Sequence, residues 1–290
     1  MGLRLKFNLV LSVVFLLGLA ASGFISHNLL HNNAREEVLR NAGVMMEAAL
    51  SMRTYTVEKV RPSLRASPDE FLPQGVPAFG ASQIMTLLRK KYPDYFYKEA
   101  ALNPTNPANH AVEWETDIVN AFRNSASLKE TSGVRQTPGG ASLYLARPLT
   151  IGDGACLVCH SVPAAAPVAM VKAYGPSNGF GWKLGETIGA QIVAVPMTLP
   201  VANANRAFYT FMASLAGVFI VLFISLNLML STMIVRPIRD MAAAADRISV
   251  GDTEVGDLNA KGQDEVALLA RSINRMRVSL AKAIKLISNS

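Results

Sequence analysis

The chain has 290 residues, and its 28 Lys and Arg against 21 Asp and Glu give a formal net charge of +7. Charged residues make up 17% of the chain and apolar residues 50%, which excludes a disordered chain, because such chains are rich in charge and poor in apolar residues. The basic residues form no dense stripe, so we expect no nucleic-acid partner, and two cysteines are too few for a disulfide-rich secreted scaffold.

The first hydrophobic segment, residues 7–26, carries no charge and follows Arg4 and Lys6. Its length is about the minimum for a helix that spans a membrane. A cleaved signal peptide is the alternative, since small residues occur towards the end of the segment. We favour a retained transmembrane helix, because the apolar character continues beyond those small residues, with residues 1–6 as a short cytoplasmic terminus.

The second hydrophobic segment, residues 207–235, lies between Arg206 and Arg236 without a charge. A core helix of a soluble protein is rarely apolar on all sides over such a length, so we predict a second transmembrane helix. Basic residues precede the first helix and follow the second. The positive-inside rule therefore places both termini in the cytoplasm of a bacterial inner membrane and residues 27–206 in the periplasm.

Residues 27–206 combine helical and strand-like patterns. Helices are predicted over 29–60, 81–91 (with Ser82 as the N-cap) and 114–124; strands over 95–100, 142–151 and 189–196; breaks at Pro62, Pro73 and Pro77; and turns over 103–107 and 175–182. Helices that flank a few strands favour an α+β fold of the PAS-like kind.

Both cysteines of the chain lie in the motif Cys156-Leu157-Val158-Cys159-His160. In C-x-x-C-H the two thiols add to the vinyl groups of haem, and the histidine binds the iron. A redox dithiol, a disulfide and half of a zinc site are the alternatives, but zinc requires two further ligands at matching spacing. We therefore predict one haem c, attached through Cys156 and Cys159, with His160 as an axial ligand.

The motif does not specify the second axial ligand of the iron. We predict Met52, on the first helix of the domain, although methionines at helical spacing more often pack in a core. Arg53 suits a contact with a haem propionate, and Tyr55 belongs to the same predicted site. Met45, Met46, His110 and a vacant position remain the alternatives.

Three stretches, residues 97–107, 156–160 and 174–183, resemble a bacterial family of periplasmic haem-c sensor domains that was long classed as a domain of unknown function. The likeness covers most of residues 35–198. It implies a PAS-like domain with one covalently bound haem and His160 as an axial ligand. Some relatives take the other ligand from a cysteine of the first helix, which this chain lacks.

The last part of the chain, residues 236–290, has apolar residues at heptad spacing on both sides of a connector that contains Gly251 and Gly256. The two sets are Ile238, Met241, Ala245 and Ile248, then Val266, Leu269, Ile273, Met276, Leu280 and Ile284. Such spacing buries a seam only against partner helices, so we expect a homodimer. Together with Pro237 and Asp264-Glu265, the pattern makes residues 215–285 resemble a HAMP domain, a two-state relay.

The combination of a haem domain, two membrane spans and a HAMP domain predicts a sensor. We expect it to relay a periplasmic redox or gas signal (O2, NO or CO) to a separate output protein, because no output domain follows before Ser290. The alternative is a membrane-anchored mono-haem cytochrome c that exchanges electrons with a redox partner. An enzyme is the least favoured class, since no acid–base constellation accompanies the motif.

Overall fold

A computed structural model of the protein describes residues 2–64, 70–252, 254–259 and 261–288. The chain divides into two compact units. The first, which we call the sheet unit, is His27–Ala207. The second, the helical unit, combines Met1–Ser26 with Phe208–Ser290.

The sheet unit is built on four antiparallel strands in the order β1-β4-β3-β2. Their bounds are Phe96–Ala101 for β1, Thr131–Thr137 for β2, Gly140–Thr150 for β3 and Thr187–Pro196 for β4. Strand β4 lies inside the sheet, and eight of its ten residues are buried.

The helices are bounded as follows: α1 Leu3–Tyr55, α2 Arg61–Ser63, α3 Pro77–Lys91, α4 Glu113–Asn124, α5 Leu157–His160, α6 Val168–Tyr174, α7 Thr198–Met229, α8 Arg236–Ser249 and α9 Glu265–Ser288. Two π-helical segments, Thr56–Val60 and Leu230–Val235, lie before α2 and α8. Each is followed by an Arg-Pro pair. Because a helical proline clashes with the carbonyl four residues earlier, a wider turn just ahead of it relieves the strain.

Helices cover both faces of the sheet. On one face, Val193 and Val195 of β4 pack against residues of α1 and α3 such as Met46 and Met85. On the other face, Ile192 packs against α4. Side chains alternate between the faces because successive strand residues point to opposite sides. The predicted α+β class is confirmed.

Two predicted local features differ from the structure. Helix α3 begins at Pro77, with Val76 as its N-cap, so the expectation that Ser82 caps it is wrong. Proline suits the first helical turn, because its fixed φ is helical and its missing N–H is not needed there. Strand β2 was not predicted, since Thr131–Thr137 contains a single large apolar residue, Val134.

Among the residues that the structure describes, two continuous helical runs, Leu3–Ser63 and Thr198–Ser249, are long and apolar enough to cross a membrane. Within the helical unit, α1 packs against α7 at Phe15, whose ring stacks on that of Phe219 with centroids 4.6 Å apart. Later in the chain, α8 and α9 bury a small cluster of Ala244, Ile248 and Val255. Asp264 caps α9 by accepting the N–H of Ala267 at 2.8 Å.

Candidate functional site

The two cysteines lie on a short helical turn. Cys156 ends a 3-10 turn, Gly154–Cys156, that Asp153 caps by accepting the N–H of Ala155 at 2.8 Å. The backbone continues in helical conformation into α5. Residues three apart on a helix share a face, so both thiols lie on the same side of the turn. Both are free, with Cys156 exposed and Cys159 half-buried.

The imidazole of His160 is fixed by its Nδ1 atom. This atom lies 2.7 Å from the carbonyl oxygen of Gly179 and 3.3 Å from Oγ1 of Thr105. A carbonyl only accepts, so the geometry assigns the proton to Nδ1 and a lone pair to Nε2. Burial lowers the pKa of His160, with the bond to Gly179 acting in the opposite direction. The ring is thereby held neutral, as a metal ligand must be.

Trp182 packs on the face of the same imidazole. The two ring centroids lie 3.9 Å apart, with 17° between the planes. The main chain of the loop is also hydrogen-bonded to that of the motif. The N–H of Trp182 donates to the carbonyl of His160 at 3.3 Å, and the N–H of Gly181 donates to the carbonyl of Ser161 at 2.9 Å. The glycine-rich loop, residues 175–182, is therefore attached along the motif.

Burial raises the pKa of the Cys159 thiol, while the nearby guanidinium of Arg61 acts in the opposite direction. Arg61 is itself held by a bond from Nε to the carbonyl of Gly75 at 3.1 Å. No sequence pattern points to a role for Arg61 at the motif.

The three residues predicted on α1 have different surroundings. Met52 is half-buried, and its Cε would lie 3.4 Å from a Cβ added at Gly80 of α3. Arg53 forms an ion pair with the buried carboxylate of Glu99. Tyr55 is exposed. The roles of Met52, Arg53 and Tyr55 at a haem stay predictions.

The alternatives for the second axial ligand lie elsewhere in the sheet unit. Met45 and Met46 are buried in the core between α1 and the sheet. His110 is exposed, and its carbonyl accepts from Nζ of Lys98 at 2.8 Å.

Glu99 also accepts a hydrogen bond from Tyr97. The hydroxyl of Tyr97 donates to Oε1 of Glu99 at 2.7 Å and accepts a hydrogen bond from Nε2 of Gln191 at 3.4 Å. Burial, with the Glu99 charge adding to it, raises the pKa of Tyr97. Arg53 is therefore part of a buried polar network between α1 and the sheet.

Thr105, Gly179 and Trp182 surround His160, and none of these contacts is predicted from the sequence. All three fall in the stretches that carry the family resemblance. Their separations from His160, 55 residues for Thr105 and 19 for Gly179, give no periodic signal that would join them.

Comparison with known proteins decides the family. Residues 31–196, more than half of the chain, match the Tll0287-like family. The chain belongs to this family. Residues 229–282 match the HAMP domain. The expected combination of a domain of this haem-protein family with a HAMP domain is thus confirmed.

Two individual proteins were also found to be similar. One is a protein of Acetivibrio thermocellus named as a sensory transducer, 44% identical over 57 residues. This match covers 20% of the present chain and only 10% of that protein. The other is the crystal structure of the cyanobacterial haem protein Tll0287, with 18% identity and a TM-score of 0.41, covering 55% of this chain and 95% of that one.

Proposed function

We propose that the chain is a membrane-bound haem-c sensor. Cys156 and Cys159 hold one haem, Nε2 of His160 binds its iron, and a redox or gas signal passes through the HAMP domain to a cytoplasmic output protein. The bond from His160 Nδ1 to the Gly179 carbonyl is the observation that carries this proposal. It leaves Nε2 as the ligand atom beside two free thiols.

The donor set fits a covalently attached haem. Both thiols lie on one side of a single helical turn, and the next residue is a neutral histidine oriented by a carbonyl. Membership of the Tll0287-like family adds support, since Tll0287 itself is a haem protein. When bound, the haem supplies a one-electron redox couple and, where an axial position is free, a site for a diatomic gas.

The protein side chains have separate tasks in this proposal. The two cysteines anchor the group through thioether bonds, which hold it even if the iron ligand changes. The Gly179 carbonyl and the stacked Trp182 restrict rotation of the His160 ring. Met52 is the proposed second ligand, and Arg53 the proposed partner of a propionate.

The membrane arrangement is part of the same proposal. Basic residues flank the two apolar helices on the sides expected for cytoplasmic termini, which would place the sheet unit in the periplasm. Ile238, Met276 and Ile284 of the predicted seam are exposed in the single chain. Their exposure supports a homodimer, in which a second copy covers them.

Covalent haem is tested on the full chain purified from membranes of cells that attach haem c. We expect one haem per chain, retained on a denaturing gel, and loss of that haem in the Cys156→Ser/Cys159→Ser variant. His160→Ala should keep the covalent haem and change the absorption spectrum, whereas the control His110→Ala should leave the spectrum unchanged. Wild-type chain without covalent haem would overturn the proposal.

The stimulus is tested by adding carbon monoxide to the reduced protein. A spectral shift at low gas concentration would support gas sensing through an open or displaceable axial position. No shift at saturating gas would restrict the proposal to a redox signal.

Electron transfer is the second candidate function. Cys156 and Val158 are exposed, a placement that suits electron exchange with a soluble partner. Cysteines introduced at Ile273 or Leu280 separate the two functions by their crosslinking. A sensor predicts different crosslinking yields in the oxidised and reduced protein, and a carrier predicts equal yields.

A further inference from the structure

Asn103 contacts the glycine-rich loop through both ends of its side-chain amide. Its Oδ1 accepts the N–H of Gly179 at 3.0 Å, and its Nδ2 donates to the carbonyl of Phe180 at 3.2 Å. An amide side chain carries a donor and an acceptor in one plane, like a peptide group. The side chain of Asn103 therefore makes the two hydrogen bonds that a paired strand would otherwise make with this part of the loop.

The Gly179 carbonyl lies between the two groups that Asn103 binds. Along the main chain, the N–H of Gly179 precedes this carbonyl and the carbonyl of Phe180 follows it. With both neighbours held, the peptide that joins Gly179 to Phe180 has little freedom to rotate. The direction of the Gly179 carbonyl, which accepts from His160, is set as a result.

Gly179 has no room for another residue type. Its φ is +81°, and an added Cβ would lie 1.9 Å from Oγ1 and 2.7 Å from Cα of Thr105. A positive φ is also strained for residues with a side chain. The loop is thus pressed against the turn that contains both Asn103 and Thr105.

We propose that Asn103 is a positioning residue for His160. It aims the Gly179 carbonyl at Nδ1, which keeps the proton on Nδ1 and leaves the lone pair of Nε2 for the iron. The part that concerns the iron rests on the proposed function, whereas the tautomer of His160 can be measured without haem. A hydrogen bond from the outer nitrogen of a ligating histidine also increases its basicity, which favours the oxidised iron.

The tautomer is measured first, on the full-length Cys156→Ser/Cys159→Ser chain in detergent with ¹⁵N-labelled histidine. The chain has four histidines, and His160→Ala identifies the signals of interest. We expect Nδ1–H for His160 in this parent, and a mixture of Nδ1–H and Nε2–H after Asn103→Ala. An unchanged tautomer after Asn103→Ala would overturn the proposal.

Asn106 provides the matched control. It lies in the same turn, but its side chain accepts the N–H of Ala108 at 3.0 Å and caps a local 3-10 turn. Asn106→Ala should leave the His160 tautomer as in the parent. If it has the same effect as Asn103→Ala, the effect comes from loosening of the turn and the proposal is wrong.

The haem-loaded protein gives the second readout, the midpoint potential of the iron. Asn103→Ala should raise the potential, because the ligand becomes less basic, and Asn106→Ala should not. If Asn103→Ala gives little folded protein, Asn103→Asp replaces it, since the carboxylate keeps the acceptor for Gly179 and loses the donor to Phe180. An unchanged tautomer and potential in that variant would contradict the proposal.

The two proposals fail in different ways. A wild-type chain that takes up no haem refutes the proposed function, while the tautomer of His160 in the haem-free chain still tests the role of Asn103. A haem-loaded chain with a wild-type potential and tautomer after Asn103→Ala refutes only the role of Asn103.

Discussion

Strand β4 and the motif loop, residues 152–182, belong to the same unit but are held in different ways. Strand β4 is paired with β1 on one side and β3 on the other, and most of its side chains are buried. The motif loop consists of turns and the two short helices α5 and α6, and individual hydrogen bonds and a ring stack hold its histidine. Changes in the sheet should therefore reduce stability, and changes in the loop should alter the chemistry of His160.

The apolar side chains of the two regions also differ in how far they are buried. In β4 they are covered by helices on both faces. In and beside the loop, large apolar side chains are exposed: Val158, Val162, Val168 and Leu184. Under the proposed function, the haem would cover part of these side chains.

The sharpest test of the sheet is Gly189→Ala in β4. An added Cβ would lie 2.3 Å from the carbonyl oxygen of Ala100 in β1, and a main-chain atom of a paired strand cannot move aside. We expect a loss of at least about 3 kcal/mol of unfolding free energy, since overpacking costs 1–3 kcal/mol or more. For a unit of this size that lowers the unfolding midpoint by roughly 6–12 °C, measured by circular dichroism on the full chain.

Gly152→Ala is the matched change in the loop. No atom lies within 4 Å of an added Cβ at Gly152, and its φ is not positive. The midpoint should stay within about 2 °C of the parent. Equal effects at Gly189 and Gly152 would refute the contrast between the two regions.

Arg53→Leu should have the next largest effect. The change leaves the buried carboxylate of Glu99 with Tyr97 and without its cation. Removing one partner of a buried ion pair costs 3–5 kcal/mol, and because Arg53 is partly exposed we expect about 2–3 kcal/mol, measured by urea unfolding.

The same variant tests the predicted contact of Arg53 with a propionate. If that contact forms, Arg53→Leu also changes the midpoint potential of the haem, beyond its effect on stability. Glu99→Gln, which removes the charge and keeps the shape, serves as the comparison. A potential shift in Glu99→Gln alone would count against a direct role of Arg53.

The sequence predicted those parts of the structure that depend on periodicity or on a contiguous motif. The strand-like apolar stretches of β3 and β4, the two long apolar segments and the C-x-x-C-H motif could all be identified in this way. Strand β2 could not, because Thr131–Thr137 has no apolar face and is held by pairing with β3. The pairing of β2 with β3 becomes visible only in the folded chain.

The surroundings of His160 were beyond prediction for a related reason. Thr105 and Gly179 reach the imidazole from distant parts of the chain, and no local rule connects them. The same holds for the ion pair of Arg53, whose contact with a haem propionate stays a prediction. The structure pairs Arg53 with Glu99, a carboxylate that β1 carries into the core.

Tyr97 predicts a pH dependence. Its pKa is raised above the ordinary value of 10.0 by burial and by the charge of Glu99. Above pH 10 the unfolded chain loses the phenolic proton and the folded chain keeps it, so stability falls as the pH rises. The slope from this one group is about 1.4 kcal/mol per pH unit.

Tyr97→Phe isolates that contribution. The variant loses the hydrogen bond to Glu99 and is less stable at neutral pH, but its stability should fall less steeply between pH 10 and 11.5. Unfolding midpoints of both proteins at several pH values give the two slopes. Parallel slopes would show that Tyr97 titrates alike in the folded and unfolded chains.

Arg123→Ala should have the smallest effect. Nη2 of Arg123 lies 3.1 Å from Oε1 of Glu186 in an ion pair, and both side chains are partly exposed. Exposed ion pairs contribute 0–1 kcal/mol, so we expect a loss below about 0.5 kcal/mol and a midpoint change of no more than about 2 °C. Glu186→Ala should cost more, because the other carboxylate oxygen accepts the N–H of Lys183 at 3.0 Å.

Main-chain hydrogen bonds and the Arg123–Glu186 ion pair are the two contacts that could hold the end of the motif loop, and salt separates them. Main-chain bonds join Ile151 to this end, with its N–H donating to the carbonyl of Glu186 at 2.9 Å and its carbonyl accepting from Gly185 at 2.8 Å. If these bonds fix the loop, high salt should leave the midpoint of the parent unchanged, since salt screens only exposed charges. A fall in high salt that matches the loss in Arg123→Ala would instead assign the anchoring to the surface pair.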